Sequence, residues 1–333
     1  MVIRGIDQYH QHAIDLENEL DVLKAPSESV NVIVIPHKGN HKIWTQGRKW
    51  GDDLMLENVM RNIGAQYKIT PSYDFENNDF EGADIVHLCN LSHTALRRRR
   101  LRDWESRIKK LTAESDRPLF IGGIRGDQGF NKAKKFIKYF DAIQVSNKSL
   151  LRRVAEYNPN VFLLYPGVDL DEFSPMHELR PRHFTIGWAG DDKKTMKNFH
   201  LLPKLEFSYK VATKFNYVPN YEMPFFYNSL STYVYFSDHE GCNRTILEAA
   251  ACGLPIVSTD AGAVRELLDP EWIIEGDPEK SVSEFSDKVQ ILKEDYELRQ
   301  KVGQKNRERV HRWSWERITR DLEEIWDNLL GGI

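Results

Sequence analysis

Three features of the 333-residue chain predict an α/β fold of two doubly wound parallel-sheet domains. The length exceeds the ~100–200 residues usual for one domain. Short apolar runs alternate with helix-compatible polar stretches, as expected of buried parallel strands joined by helical crossovers. The alternation restarts after the Pro166-Gly167 turn and a proline-bearing linker through Pro175 and Pro181. This divides the chain into a helical arm (1–29), a first domain (30–178), a second domain (179–312) and a final helix (313–333).

The arm is polar, with a weak helical pattern in AIDLENELDVL. VNVIVIP (Val30 to Pro36) is the first strand, and ADIVHL (83–88), PLFIG (118–122), AIQVS (142–146) and VFLLY (161–165) continue the first sheet. Beyond the linker, FTIGWAG (184–190), YKVAT, TYVYFS, PIVST and WIIEG build the second. In the final helix Trp313, Trp315, Ile318, Leu322, Ile325, Trp326 and Leu329 recur at steps of three and four, so one face is apolar and must be covered. Periodicity alone leaves open whether its own domain or the first one covers it.

The net charge of −4 argues against an overall nucleic-acid footprint. Three cysteines, Cys89, Cys242 and Cys252, lack metal spacing and are odd in number, which favours reduced thiols over a disulfide framework. No apolar run approaches the ~20 residues of a membrane span, and the first residues lack a signal-peptide core. The expectation is a soluble, cytoplasmic protein without a transmembrane segment.

The most informative segment is EGCNRTILE (Glu240 to Glu248). It follows the buried strand YVYFS, and helix signals begin within Asn243-Arg244-Thr245 and stop at Gly253 and Pro255. A helix amino terminus outside a strand end offers free N–H groups and a positive dipole to phosphate. The plainer reading is a capping box of Thr245 with Glu248, and Glu240 as an ordinary loop charge.

The wider stretch from Tyr227 to Leu267, YNSLSTYVYFSDHEGCNRTILEAAACGLPIVSTDAGAVREL, tips the balance. It resembles the retaining GT-B glycosyltransferases of the large family that includes glycogen synthases and phosphatidylinositol mannosyltransferases, the family-4-like enzymes with an E-x7-E motif. YPGVDLDEFSP (Tyr165 to Pro175) is similar to that family's interdomain segment, and WSWERITRDLEEIW (Trp313 to Trp326) to its last helix. The resemblance covers roughly residues 160 to 330. It implies two Rossmann-like domains facing across a cleft, an acceptor-side first domain, a nucleotide-sugar-binding second domain, and a final helix that crosses back to the first.

The same resemblance implies roles. Glu248 would meet the donor ribose, Glu240 the transferred sugar, and the N–H groups of Asn243, Arg244, Thr245 and Ile246 the phosphates. Asn243 stands where the family commonly has glycine. The family's basic pair falls in GWAGDDKKTMKN, beside Gly190. Lys197 matches the lysine, Asp191 stands where the arginine is expected, and Lys193 or Lys194 is the substitute. In the first domain ADIVHLCNLSHTAL looks like a glycogen-synthase segment, which makes His93 the candidate histidine, with Asn90 beside it and His87 as a weaker choice. Other branches place that histidine after the next strand. Here that place reads GGIRGD, which leaves Arg125 as a phosphate or acceptor contact. Gly39 and Asn40, in the first-strand loop, would border donor phosphates and acceptor, with Lys38, Lys42, Arg48 and Lys49 as positive lining.

LRRRRLRDWESRIKK (Leu96 to Lys110) reads first as a solvated face and second as a seat for a polyanionic acceptor such as nucleic acid, or for a glycan. An anionic membrane surface comes third. Neither Asp52-Asp53 nor Asp191-Asp192 forms a D-x-D signature, so no obligatory metal or other cofactor is expected. The implied activity is retaining transfer of a sugar from a nucleoside-diphosphate donor, a UDP-sugar by the family's habit, to an unidentified hydroxyl. The alternative is a non-catalytic sugar- or nucleic-acid-binding module derived from such an enzyme.

Overall fold

The computed structural model describes residues 29–35, 51–72, 80–91, 101–113 and 116–331. All but the last residue of the arm expected over 1–29 lies outside them.

The first sheet contains β1 (Val30–Ile35), β2 (Tyr67–Pro71), β3 (Ile85–Leu88), β4 (Leu119–Ile124), β5 (Ala142–Val145) and β6 (Val161–Leu163), in the order β2-β1-β3-β4-β5-β6. Every pairing in it is parallel. Helices α1 (Gly51–Asn62), α2 (Leu101–Leu111), α3 (Asp127–Ala133) and α4 (Lys148–Val154) belong to this half. The second sheet, also parallel, contains β7 (Ile186–Ala189), β8 (Tyr209–Ala212), β9 (Thr232–Tyr235), β10 (Ile256–Thr259) and β11 (Ile273–Ile274), in the order β11-β10-β9-β7-β8. Its helices are α5 (Met223–Asn228), α6 (Arg244–Ala251), α7 (Val264–Leu267), α8 (Val282–Glu294) and α9 (Tyr296–Val310), followed by α10 (Trp315–Gly331).

Central strands are mainly apolar because both faces are covered, and every residue of β3, β4, β5, β7, β9 and β10 is buried. The second strand, β2, is not among the runs expected from sequence. It is an edge strand, buried at Tyr67 but largely exposed beyond it, so no apolar run marks it. Between β7 and β8 the connection is made by 3-10 turns, Thr195–Lys197 and Phe199–Leu205, where a doubly wound fold ordinarily has an α-helix.

The final helix resolves the choice that periodicity left open. Trp315, Ile318, Leu322 and Trp326 are buried, and the Trp326 ring lies 5.2 Å from Tyr67 and 6.1 Å from His87, both in the first half. Gly64 N–H donates to Glu323 at 2.5 Å, and Tyr67 Oη donates to the Glu323 carbonyl at 3.3 Å. The helix therefore crosses back. The linker is pinned where the chain recrosses it: Val168 N–H donates to Trp313 O (2.9 Å), and Trp315 N–H to Val168 O (3.2 Å). Arg307 then donates to the carbonyls of Leu170 (3.0 Å), Phe173 (2.6 Å) and Ala251 (2.6 Å), joining the linker to the last turn of α6. A guanidinium against carbonyls at a helix carboxy terminus complements the negative end of the dipole.

Candidate functional site

In both sheets the second strand lies on one side of the first and the third strand on the other. Loops leaving the carboxyl ends of the first and third strands then diverge and open a crevice, where ligands of doubly wound sheets bind. In the second sheet these loops follow β7 and β9. They carry Gly190, Asp191 and Lys197 on one side and Glu240 to Asn243 on the other. Two adjoining cavities of about 300 Å³ and about 430 Å³ occupy the crevice and share Ala189, Gly190, Asp191, Arg244 and Thr245. Lys214, Tyr217, Glu248 and the linker residues Asp169 and Glu172 line the first. Lys194, Lys197, Glu240 and, from the amino-terminal half, Arg125 and Ser146 line the second.

The β9 strand ends in tyrosines that organise the loop beyond it. Asn243 caps α6: its Oδ1 accepts from Thr245 N–H (2.8 Å) and Thr245 Oγ1 (2.9 Å), while its Nδ2 donates to Tyr235 Oη. The Thr245–Glu248 capping box is not formed. Ile246 N–H donates to Asn243 O at 3.2 Å, so the Thr245 and Ile246 amides expected to face phosphate are satisfied within the helix end. Tyr233 Oη donates to Thr245 Oγ1 (2.8 Å) and accepts from Ala189 N–H (3.2 Å), tying the helix start to the end of β7.

The two glutamates have separate partners. Glu248, 7% exposed, accepts from Tyr227 Oη at 2.8 Å and from Arg244 Nη2 at 3.1 Å. Burial, and then the nearby Glu248 carboxylate, raise the Tyr227 phenol well above its ordinary range, so it remains a donor. Glu240 pairs with Lys197 Nζ, which also reaches Tyr235 Oη at 3.0 Å. Lys197 is aimed by the residue after it. Asn198 adopts a left-handed backbone (φ 48°), which asparagine tolerates, and its Nδ2 donates to Phe236 O (3.0 Å) and Asp238 Oδ1 (2.6 Å). The β7 and β9 loops are thereby fastened together.

The proposed substitutes for the missing arginine divide. Lys194 lines the second cavity, whereas Lys193 Nζ sits 4.8 Å from the centre of the Phe215 ring and lines neither cavity. Lys214, which the sequence reading missed, pairs with Asp191 Oδ2 at 2.8 Å. Its only local signal is its place just past the YKVAT strand, at the edge where ligands bind. Partial burial opposes ionisation of Asp191, but the Lys214 ammonium and the Lys193 N–H outweigh it and hold the carboxyl below its usual range. Tyr227, partner of Glu248, was also missed.

The amino-terminal half meets this site at Gly241. Asn147 Nδ2 donates to Gly241 O at 3.1 Å, and a Cβ on Gly241 would stand 1.7 Å from Arg125 O, so only glycine permits the approach. The Arg125 side chain itself turns to Cys89 O (3.2 Å) and Met55 Sδ (3.0 Å). Asn90 is buried at 6% exposure, beside the end of β3. His87 is also buried, and its Nε2 lies 2.7 Å from Gln144 Oε1 beneath Trp326. Burial, opposed by the Gln144 bond and aided by Arg125, lowers its pKa to about 4. It is a neutral core histidine. His93, Gly39 and Asn40 lie outside the described residues, as do Lys38, Lys42, Arg48, Lys49 and the first five residues of the 96–110 basic run.

Among the described residues, no group of three or more His, Cys, Asp or Glu could hold a metal ion, and no helix is long and apolar enough to cross a membrane.

Residues 186–309 match the family model of glycosyl transferases group 1. Over 103 residues the chain is 29% identical to O-antigen chain mannosyltransferase B of Escherichia coli, an alignment spanning 31% of this chain and 26% of that protein. Among solved structures it is similar to a sucrose-phosphate synthase from Thermosynechococcus elongatus, with a TM-score of 0.69, 12% identity, and coverage of 91% of this chain and 100% of that one. It is also similar to Anabaena HepE in complex with UDP and glucose, with a TM-score of 0.61, 11% identity, and coverage of 89% and 98%. At such identities the structural likeness speaks for the fold: two Rossmann-like domains facing across a cleft, the GT-B architecture.

Proposed function

We propose that the chain is a glycosyltransferase that takes a sugar from a nucleoside-diphosphate donor bound in this cleft. One observation carries the reading. Glu248, beside the linker's Glu172, lines the first of the two adjoining cavities at the switch point and Glu240 lines the second, and the helix start between Glu240 and Glu248 belongs to both. A nucleotide sugar has the same layout, with a ribose at one end, a hexose at the other and a diphosphate between.

In this reading Glu248, fixed by Tyr227 and Arg244, accepts from the ribose hydroxyls. Glu240 accepts from the hydroxyls of the transferred sugar. Lys197, already paired with Glu240, neutralises charge that develops on the departing phosphate. The acceptor hydroxyl attacks from the leaving-group face, a phosphate oxygen takes its proton, and the anomeric configuration is retained. The GT-B fold and the UDP complex of HepE support UDP as the first nucleotide to try.

The test is release of nucleoside diphosphate from UDP-, GDP- and ADP-sugars, together with thermal shifts by each, since a ligand of the native state raises Tm. At least one donor should stabilise the chain and be turned over. Lys197→Ala should slow turnover about a hundredfold, the scale of losing one preorganised charge. If neither Lys197→Ala nor Glu248→Gln altered turnover, the assignment would be wrong. Binding without any turnover would favour the non-catalytic module. The product anomer, read by NMR, tests retention.

A further inference from the structure

Asp191 is out of place in a cleft meant for a diphosphate. It lines both cavities, so it stands at the waist where they meet, and a bare carboxylate there would repel phosphate. It is not bare. Lys214, from the carboxyl end of β8, reaches across to Asp191 Oδ2 at 2.8 Å, and the two strands are in register up to that point, with Ala189 opposite Ala212 and Gly190 N–H donating to Ala212 O at 3.0 Å. Asp191 is the more enclosed partner, its side chain 17% exposed against 46% for Lys214. Its Oδ1 also accepts from Lys193 N–H at 3.3 Å. The carboxylate is thus anchored on its own loop and the ammonium is what it holds.

We propose that Lys214, held by Asp191, is the cation that meets the donor diphosphate at the waist of the cleft, with Asp191 as its positioning residue. At the waist the β7 loop presents Asp191, and the ammonium beside it comes from the neighbouring β8 loop. An ammonium carries three donors, so it can hold a carboxylate and a phosphate oxygen together. Lys214 lines the first cavity and reaches the waist through Asp191. Of the other cations, Arg125, Lys194 and Lys197 line the second cavity, Arg244 lines both but is engaged by Glu248 at 3.1 Å, and Lys193 lies against Phe215. The inference rests on the nucleoside-diphosphate reading above.

The pairing makes a signed prediction. Removing Lys214 alone exposes Asp191 to the diphosphate, so the single variant should bind worse than the double variant lacking both charges. Calorimetric titration with UDP, GDP and ADP and with the matching nucleosides tests this. With whichever diphosphate binds wild type most tightly, Lys214→Met should weaken binding by about tenfold to a hundredfold, the scale of a charge-assisted hydrogen bond. Binding of the parent nucleoside should be nearly unchanged. The double variant Asp191→Asn/Lys214→Met should recover part of the loss, and Lys214→Arg most of it. Equal loss for nucleoside and diphosphate, or a double variant weaker than Lys214→Met, would reduce Lys214 to a structural role. If wild type and Lys214→Met bound the diphosphate equally while Glu248→Gln bound it weakly, this inference alone would fall. If wild type bound no diphosphate, the donor reading would fall with it.

Discussion

The carboxyl ends of the two sheets have the same winding, and their described residues facing the cleft differ in chemistry. On the second sheet, three carboxylates at the cleft are each paired with a cation from another turn or loop: Asp191 with Lys214, Glu240 with Lys197, Glu248 with Arg244. On the first sheet the described residues nearest the cleft include Asn90, Gln144, Ser146 and Asn147, with His87 kept neutral and the Arg125 guanidinium turned to backbone and sulfur, while the charged Asp127 and Lys148 pair with Arg153 and Glu266. The same strand order thus serves two purposes. One edge holds the paired charges of the cleft, and the described part of the other approaches it closely, down to the glycine contact at Gly241.

The comparison fails most visibly if the first half owes its stability to charge. Trp326→Ala removes the ring that covers Tyr67 and His87, and should destabilise the fold by about 3–5 kcal/mol, as large-to-small changes of aromatic core residues do. Chemical denaturation measures it. A loss below about 1 kcal/mol would mean that the crossing helix is not what covers this sheet.

Next in size is a pH effect confined to the first half. The buried His87 has a pKa of about 4 against an ordinary 6.5, so the unfolded chain binds its proton more readily. Its contribution to stability is complete above about pH 6.5 and is lost as pH falls through 4, about 3 kcal/mol in all. Replacing it by glutamine, His87→Gln, should flatten the pH dependence of Tm between those limits. An unchanged slope would assign it to other groups.

The smallest effect concerns the charged edge. Asn243→Ala removes the cap of α6 and its link to Tyr235, and should cost about 1 kcal/mol of stability. It should also weaken diphosphate binding, because the helix start forms part of the cleft. A Tm drop with binding intact would separate the cap from the site.

What could be read from sequence follows the same divide. The strands β7, β9 and β10 are buried at every residue and so appear as mainly apolar runs, whereas β2 at an edge does not. The start of α6 was legible because Asn243 and the Gly253 stop are local signals. The partners were not. Tyr227 lies 21 residues from Glu248, and Lys214 lies 23 from Asp191, separations that no helical or strand period connects. The capping box of the plainer reading is not formed because Asn243, two residues upstream of Thr245, takes the cap. His87 reads as a possible ligand in sequence, and only the tryptophan above it, supplied by the far end of the chain, makes it a core residue.

The crossing helix also bears on how the molecule comes into being. The bond between Tyr67 and the Glu323 carbonyl closes a loop of 256 residues. During synthesis the first sheet emerges long before the tryptophans that roof it, and contacts of such sequence separation are slow to form. Until α10 arrives, the bed of Tyr67 and His87 faces water as an apolar surface open to misassociation. A part of the chain that is made early is therefore covered by a segment made late.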